Sequence, residues 1–192
     1  MKSYFFVYCL LFAVCCSSCS TGNSDSENDA RTIDSANVAA SVYDNSFEKG
    51  KVILHVKSKK DSSVSYALYL PPTYSVNNKN PVIYFFDSRG SGSFPLERYK
   101  YLAEKYGYVL AGSDNSKNGM TWERNRPQIK IFMDDVSSRL NIDRRRVYTC
   151  GFSGGSRVAS SVAVFEGGIN AVIGMGAGFP NLTEPVRNRF DY

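Results

Sequence analysis

A serine set among glycines, at a point where the chain passes from strand to helix, restricts this sequence more than any other feature. Gly151-Phe152-Ser153-Gly154-Gly155 follows the apolar run Val147-Tyr148-Thr149-Cys150 and precedes a stretch of helical spacing over residues 156–165. A chain that leaves a buried strand and enters a helix within a residue or two must turn sharply. The helix then lies close against the strand it has just left. Glycines relieve the crowding. At the apex, Ser153 would project its hydroxyl beside the first turn of the helix. Free amides and the positive end of the helix dipole there favour a developing negative charge. The bare G-x-S-x-G pattern is weak, and an ordinary strand-to-helix turn is the alternative; the strand before it and the helix after it give it meaning.

The rest of the folded part follows the same logic. Val52-Ile53-Leu54-His55-Val56 and the β-rich residues 64–70 are separated by a short polar stretch, which predicts a hairpin. Pro71-Pro72 ends it, and the continuous apolar run over 81–86 predicts a strand buried on both faces. Helical spacing over 96–106, closed by Gly107, leads into a strand over 108–112. A long polar loop over 113–127 then precedes a second helix over 129–140. The strand at 147–150, the helix at 156–165 and a final strand over 169–175 complete the pattern. Strands alternating with helices through short connections mean βαβ units. The expected fold class is therefore α/β, with a mostly parallel sheet and helices on both faces. No internal repeat and no second folded domain are evident.

The N-terminal segment has a different character. Lys2 precedes an apolar run over 4–16 that is short for a membrane span, and Ser17 and Ser18 then precede Cys19. Residues 20–46 are rich in Ser, Asn and Asp, a composition that cannot bury enough apolar surface to order itself. Four of the five cysteines lie within the first nineteen residues, so no disulfide can form within the folded part, where Cys150 stands alone. The expected organisation is a signal segment over 1–19, a flexible tether over 20–46 and the folded domain over 47–192. The net charge of +5 invites a nucleic-acid reading. The basic residues are dispersed, however, and their tightest run, Arg144-Arg145-Arg146, reads as a solvated loop, so no nucleic-acid partner is expected.

Four motifs in this order carry a family resemblance: Tyr-Ala-Leu-Tyr-Leu-Pro-Pro at 66–72, Phe-Phe-Asp-Ser-Arg-Gly at 85–90, Asn-Ile-Asp-Arg-Arg-Arg-Val-Tyr at 141–148, and Gly-Phe-Ser-Gly-Gly-Ser-Arg-Val-Ala at 151–159. Together they resemble the α/β-hydrolase superfamily over about residues 50–180. They look most like exported esterases of the depolymerase and feruloyl-esterase kind, or the prolyl-oligopeptidase-like branch. The resemblance implies a serine hydrolase acting on an ester, or an amide, with Ser153 as nucleophile and the amide of Gly154 as one oxyanion donor. The second donor would come from the loop after the 81–86 strand, through the amide of Ser88 or of Arg89. Substrates of that class are small-molecule or polysaccharide-linked esters, and no metal or organic cofactor is implied. Trp122, in the polar loop after the 108–112 strand, is a candidate to face substrate. Asp143 reads as a turn or cap residue. The first nineteen residues resemble a bacterial lipoprotein signal with Cys19 as the lipidated residue, although Cys16 stands where an aliphatic residue is usual. A plain secretory signal is the alternative. The lipoprotein reading implies export and a lipid anchor in the outer membrane of a Gram-negative bacterium, on its periplasmic or surface face.

One requirement is unmet. A serine nucleophile needs a base within hydrogen-bond reach and a carboxylate to orient that base, and in this family both follow the serine in the chain. The single histidine, His55, precedes Ser153. Glu184 and Asp191 follow it, but the family's acid comes after a further strand, and Phe190-Asp191-Tyr192 looks like the start of one. The domain is therefore expected to be C-terminally incomplete and catalytically silent as this chain. It is then a fragment, the product of a truncated gene, or a non-catalytic surface lipoprotein that uses a remnant cleft to bind a partner.

Overall fold

The computed structural model describes residues 42–179, which fall within one compact unit. Cys19, the signal segment, most of the expected tether, Glu184 and Asp191 lie outside the described residues. The hairpin predicted at the start is present as β1 (Val52–Lys57) and β2 (Ser65–Tyr69), paired antiparallel. After it come β3 (Asn80–Phe86), α1 (Ser93–Tyr106), β4 (Val109–Ser113), α2 (Trp122–Arg139), β5 (Ile142–Phe152), α3 (Gly154–Phe165) and β6 (Ala171–Met175). The described strands form one six-stranded sheet in the order β1-β2-β4-β3-β5-β6. From β4 to β6 every pairing is parallel, whereas β2 runs antiparallel to β4. This is the strand order and layering of an α/β-hydrolase fold.

Alternation along the central strands sorts side chains onto two faces. On one, Val82, Tyr84 and Phe86 of β3 meet Ile129, Phe132 and Val136 of α2 and Ala159 and Val162 of α3. Phe132 is the hub: its ring lies 5.2 Å from that of Tyr66 and stands edge-on to Tyr84 at 5.4 Å. Truncating such a residue typically costs about 3–5 kcal/mol. On the other face Phe85, Leu110 and Cys150 pack with Leu96 and Ala103 of α1. α1 lies over β1, β2 and β4. Ile173 of β6 and Phe152 at the end of β5 are consequently exposed, and β6 is an edge of the sheet among the described residues.

Two elements depart furthest from their predicted bounds, for identifiable reasons. Pro127 is what makes 113–127 read as loop, yet α2 starts at Trp122 and carries the proline inside its early turns. Pro127 forfeits the bond to the carbonyl four residues back and crowds that carbonyl with its ring. Two contacts offset that loss: the Trp122 ring packs against Phe165 at 5.5 Å, and buried Asn125 donates to Ser116 Oγ at 3.0 Å. Trp122 thus braces α2 against α3. β5 in turn begins at Ile142, before the basic run. Its register against β3 slips between the pairs Asn80–Ile142 and Val82–Val147, which lets Arg144, Arg145 and Arg146 bulge into solvent. Asp143 closes that bulge by accepting from the Arg145 amide at 3.0 Å and Arg146 Nε at 2.8 Å, the turn-forming role expected of it inside a strand.

Contacts also reach back before residue 47. Asp44 accepts from Arg139 Nη2 at 2.9 Å, while its own amide donates to the Arg139 carbonyl at 2.7 Å. Arg139 joins buried Asp135 at 3.4 Å, and Asp135 accepts from the Tyr66 hydroxyl at 2.6 Å and the Lys59 amide at 2.8 Å. Every acceptor in this buried network has a donor, the condition under which a buried carboxylate is tolerated. Hydrogen bonds from Ser46, then from Arg139, lower the Asp44 carboxyl to about 2. Because its folded value lies below the unfolded one near about 4, its contribution is complete above that pH and is lost as pH falls toward 2. Asp44→Asn is therefore expected to lose about 1–2 kcal/mol at pH 7, with the deficit shrinking as urea melts are repeated down to pH 2.5. A deficit that does not change with pH would contradict this account.

Candidate active site

Ser153 sits between the last residue of β5 and the first of α3, with φ 54° and ψ −123°. That lies outside the regions open to L-residues. Holding a side chain there typically costs about 1–3 kcal/mol. Hydrogen bonds at both sides over-determine the turn: the Ser153 amide donates to the Met175 carbonyl of β6 at 2.7 Å, and its carbonyl accepts from the Ser156 amide at 3.0 Å. Thr149 Oγ1 further ties β5 to α3 by donating to the Ala159 carbonyl at 3.0 Å.

The flanking glycines are required by contact. A methyl group on Gly151 would overlap the backbone of Gly155, and one on Gly155 would overlap the Phe86 carbonyl. Strand β5, the end of β3 and the first turn of α3 therefore meet with no room for a Cβ. Gly154, directly after the serine, opens α3, so its amide has no acceptor within the helix.

The loop after β3 lies beside this turn. Asp87 Oδ1 accepts from the Arg89 amide at 2.9 Å, which engages one of the two amides considered as second oxyanion donor. Among the described residues no acceptor is found for the Ser88 amide. The loop's outer side is bonded to the chain after β4, through the Asn118 amide to the Ser88 carbonyl at 2.8 Å and a bridge between Arg89 and Lys117. Below it opens a cleft of about 610 Å³, lined by Phe85, Ser88, Phe94, Tyr99, Phe152 and Met175 among others. Its size suits a small ligand. Cys150 forms part of its floor, with burial raising the thiol to about 11, so it is no nucleophile at neutral pH.

His55 is far from the serine. Going from β1 to β5 crosses four inter-strand spacings, about 19 Å. It projects from a bulge in β1 with φ 51°, and its Nδ1 lies 3.0 Å from Asp114 Oδ2. Among the described residues no histidine or carboxylate is hydrogen-bonded to the Ser153 hydroxyl, and no cluster of metal-binding side chains occurs. The structure thus brings Ser153, Gly154 and Ser88 to one end of the sheet and leaves His55 at another strand. Asn118, which touches both the Ser88 loop and the elbow, was not distinguished by sequence; it lies in a polar stretch without a motif.

No family model matches the chain, and no curated protein matches it in sequence. Among solved structures, a protein named m3DLH superposes with a TM-score of 0.51 at 18% identity, over 71% of this chain and 62% of its own. Esterase 2 of Thermogutta terrifontis, in its tabun-phosphoramylated form, gives 0.46 at 18% identity over 58% of this chain and 46% of its own. A thermostable esterase gives 0.49 at 16% identity over 63% and 40%. The likeness to m3DLH is one of fold, and the chain spans less than two thirds of the length of each of the three.

The strain at Ser153 has a direct consequence. Glycine occupies such backbone angles freely, whereas alanine keeps the strain. Ser153→Gly should therefore be more stable than Ser153→Ala by about 1–2 kcal/mol, read as a rise of several degrees in Tm. Equal or reversed melting temperatures would show that the turn is not strained.

Proposed function

We propose that this chain carries the nucleophile half of a serine hydrolase that cleaves ester bonds. One observation carries the reading: Ser153 is held in a strained positive-φ conformation at the head of α3, beside a loop whose Ser88 amide has no acceptor among the described residues. In the reaction inferred, Ser153 Oγ attacks the ester carbonyl as its proton passes to a base. The carbonyl oxygen takes up the negative charge between the amides of Gly154 and Ser88. Collapse expels the alcohol, which takes the proton back, and leaves an acyl-serine. A water then repeats the sequence and releases the acid. The engagement of the Arg89 amide by Asp87 favours Ser88 as second donor. The cleft below the loop supports an apolar acyl group as its occupant. Small-molecule and polysaccharide-linked esters both fit this class.

The base is the missing part. Without it the hydroxyl stays protonated at neutral pH and forgoes an acceleration of about 10²–10⁴, so the 192-residue chain alone is proposed to be nearly silent. With the N-terminal reading, the protein would work outside the cytoplasm, anchored through Cys19 to the outer membrane. A remnant fold that only binds its ligand is the second reading, favoured by the lack of a base at Ser153 among the described residues.

p-Nitrophenyl acetate separates the two. In a longer form of the chain that supplies an acid and a histidine, turnover should be measurable and Ser153→Ala should abolish it without changing the fold. The 192-residue chain should turn the ester over at close to the uncatalysed rate. Turnover retained by the alanine variant removes Ser153 from the reaction, and no turnover in any longer form leaves the binding reading.

A further inference from the structure

We infer that Asn118 is a positioning residue that sets the separation of the two oxyanion donors, an assignment that rests on the serine reading above. Asn118 lies in the connection between β4 and α2, and it touches both sides of the proposed oxyanion site. Its backbone amide donates to the Ser88 carbonyl at 2.8 Å, which fixes the peptide next to the amide proposed as donor. Its side-chain Oδ1 occupies the space a Cβ of Gly154 would fill, so it rests against the other donor residue. One residue thus spans the gap between the loop after β3 and the head of α3.

The segment bearing Asn118 is itself held as a template. Lys117 bridges to Arg89, and a Cβ on Gly90 would come within 3.0 Å of the Asp114 carbonyl, so the two loops lie flat against each other. Asp114 Oδ1 accepts from the Gly92 amide at 3.2 Å, and Ser116 is buried and receives the Asn125 side chain at 3.0 Å. Asn118 is exposed, so its side chain is not placed there by core packing. A Cβ at Gly154 would push the Asn118 side chain out of that space. An oxyanion hole works only when its donors lie within hydrogen-bond reach of one oxygen, and errors of about 1 Å lose much of the effect.

The test uses phenylboronic acid and the full 192-residue chain. The serine oxygen adds to boron and its proton goes to solvent, giving a tetrahedral anion that presents a boron-bound oxygen to the donors without needing a histidine. Boron-11 NMR reads the change from trigonal to tetrahedral. The wild-type chain should form the adduct, Ser153→Ala should not, and Asn118→Ala should bind at least tenfold more weakly with a near-unchanged Tm. A stability cycle adds a readout independent of chemistry. Gly154→Ala should be destabilising in the wild-type background and much less so beside Asn118→Ala. An adduct that depends on Ser153 but is indifferent to Asn118, or an additive cycle, overturns this inference and leaves the serine reading intact. No wild-type adduct, or one that survives Ser153→Ala, overturns the serine reading and this inference with it.

Discussion

The backbone of α3 lies so close to β5 and to the end of β3 that Gly151 and Gly155 are obligatory, and the remaining architecture of the site depends on this approach. Separation of strand and helix by even one methyl group would open the turn and release Ser153 from its strained conformation. The strain is held by the sheet. The Ser153 amide is bonded to β6, Thr149 bonds β5 to α3, and Phe132 with its aromatic neighbours anchors the layer that presses α3 down. A conformation costing about 1–3 kcal/mol persists only where its surroundings determine it this fully.

The same approach explains why the nucleophile, the oxyanion loop and the cleft share one end of the sheet. Parallel strands β3, β4 and β5 all end on that side, so the connections after them meet there. Charge and burial then sort the residues at that end. Asp87 is occupied with the Arg89 amide, Cys150 is held as a neutral thiol, and the amide of half-buried Ser88 has no acceptor among the described residues. The chemistry proposed for Ser153 is in this sense a property of strand order as much as of the residue.

Much of this was legible in the sequence because it rests on local rules. Apolar and β-rich runs located the strands, and Gly107 closed α1. The G-x-S-x-G spacing placed Ser153 and the crowding around it. Features set by contacts between distant segments were not legible. Pro127 obscured the start of α2 because nothing local announces that Trp122 will find Phe165. The β5 bulge depends on Asp143 meeting Arg146 while β3 holds the register. The docking of Asp44 onto Arg139 was hidden by a polar composition that reads as tether. Asn118 carries no pattern, since its position follows from two loops that meet only in the folded sheet.

The central claim is that geometry singles out Ser153 among the serines of the chain, without a base to accelerate it. Prolonged exposure of the 192-residue chain to a fluorophosphonate, followed by mass-spectrometric mapping of the modified peptides, tests this most directly. The account predicts slow labelling confined to Ser153 and absent when the chain is unfolded before exposure. Adducts spread over other serines with Ser153 unmodified would contradict it. Rapid, heat-sensitive labelling at Ser153 would contradict it in the other direction, by showing that a base reaches the hydroxyl.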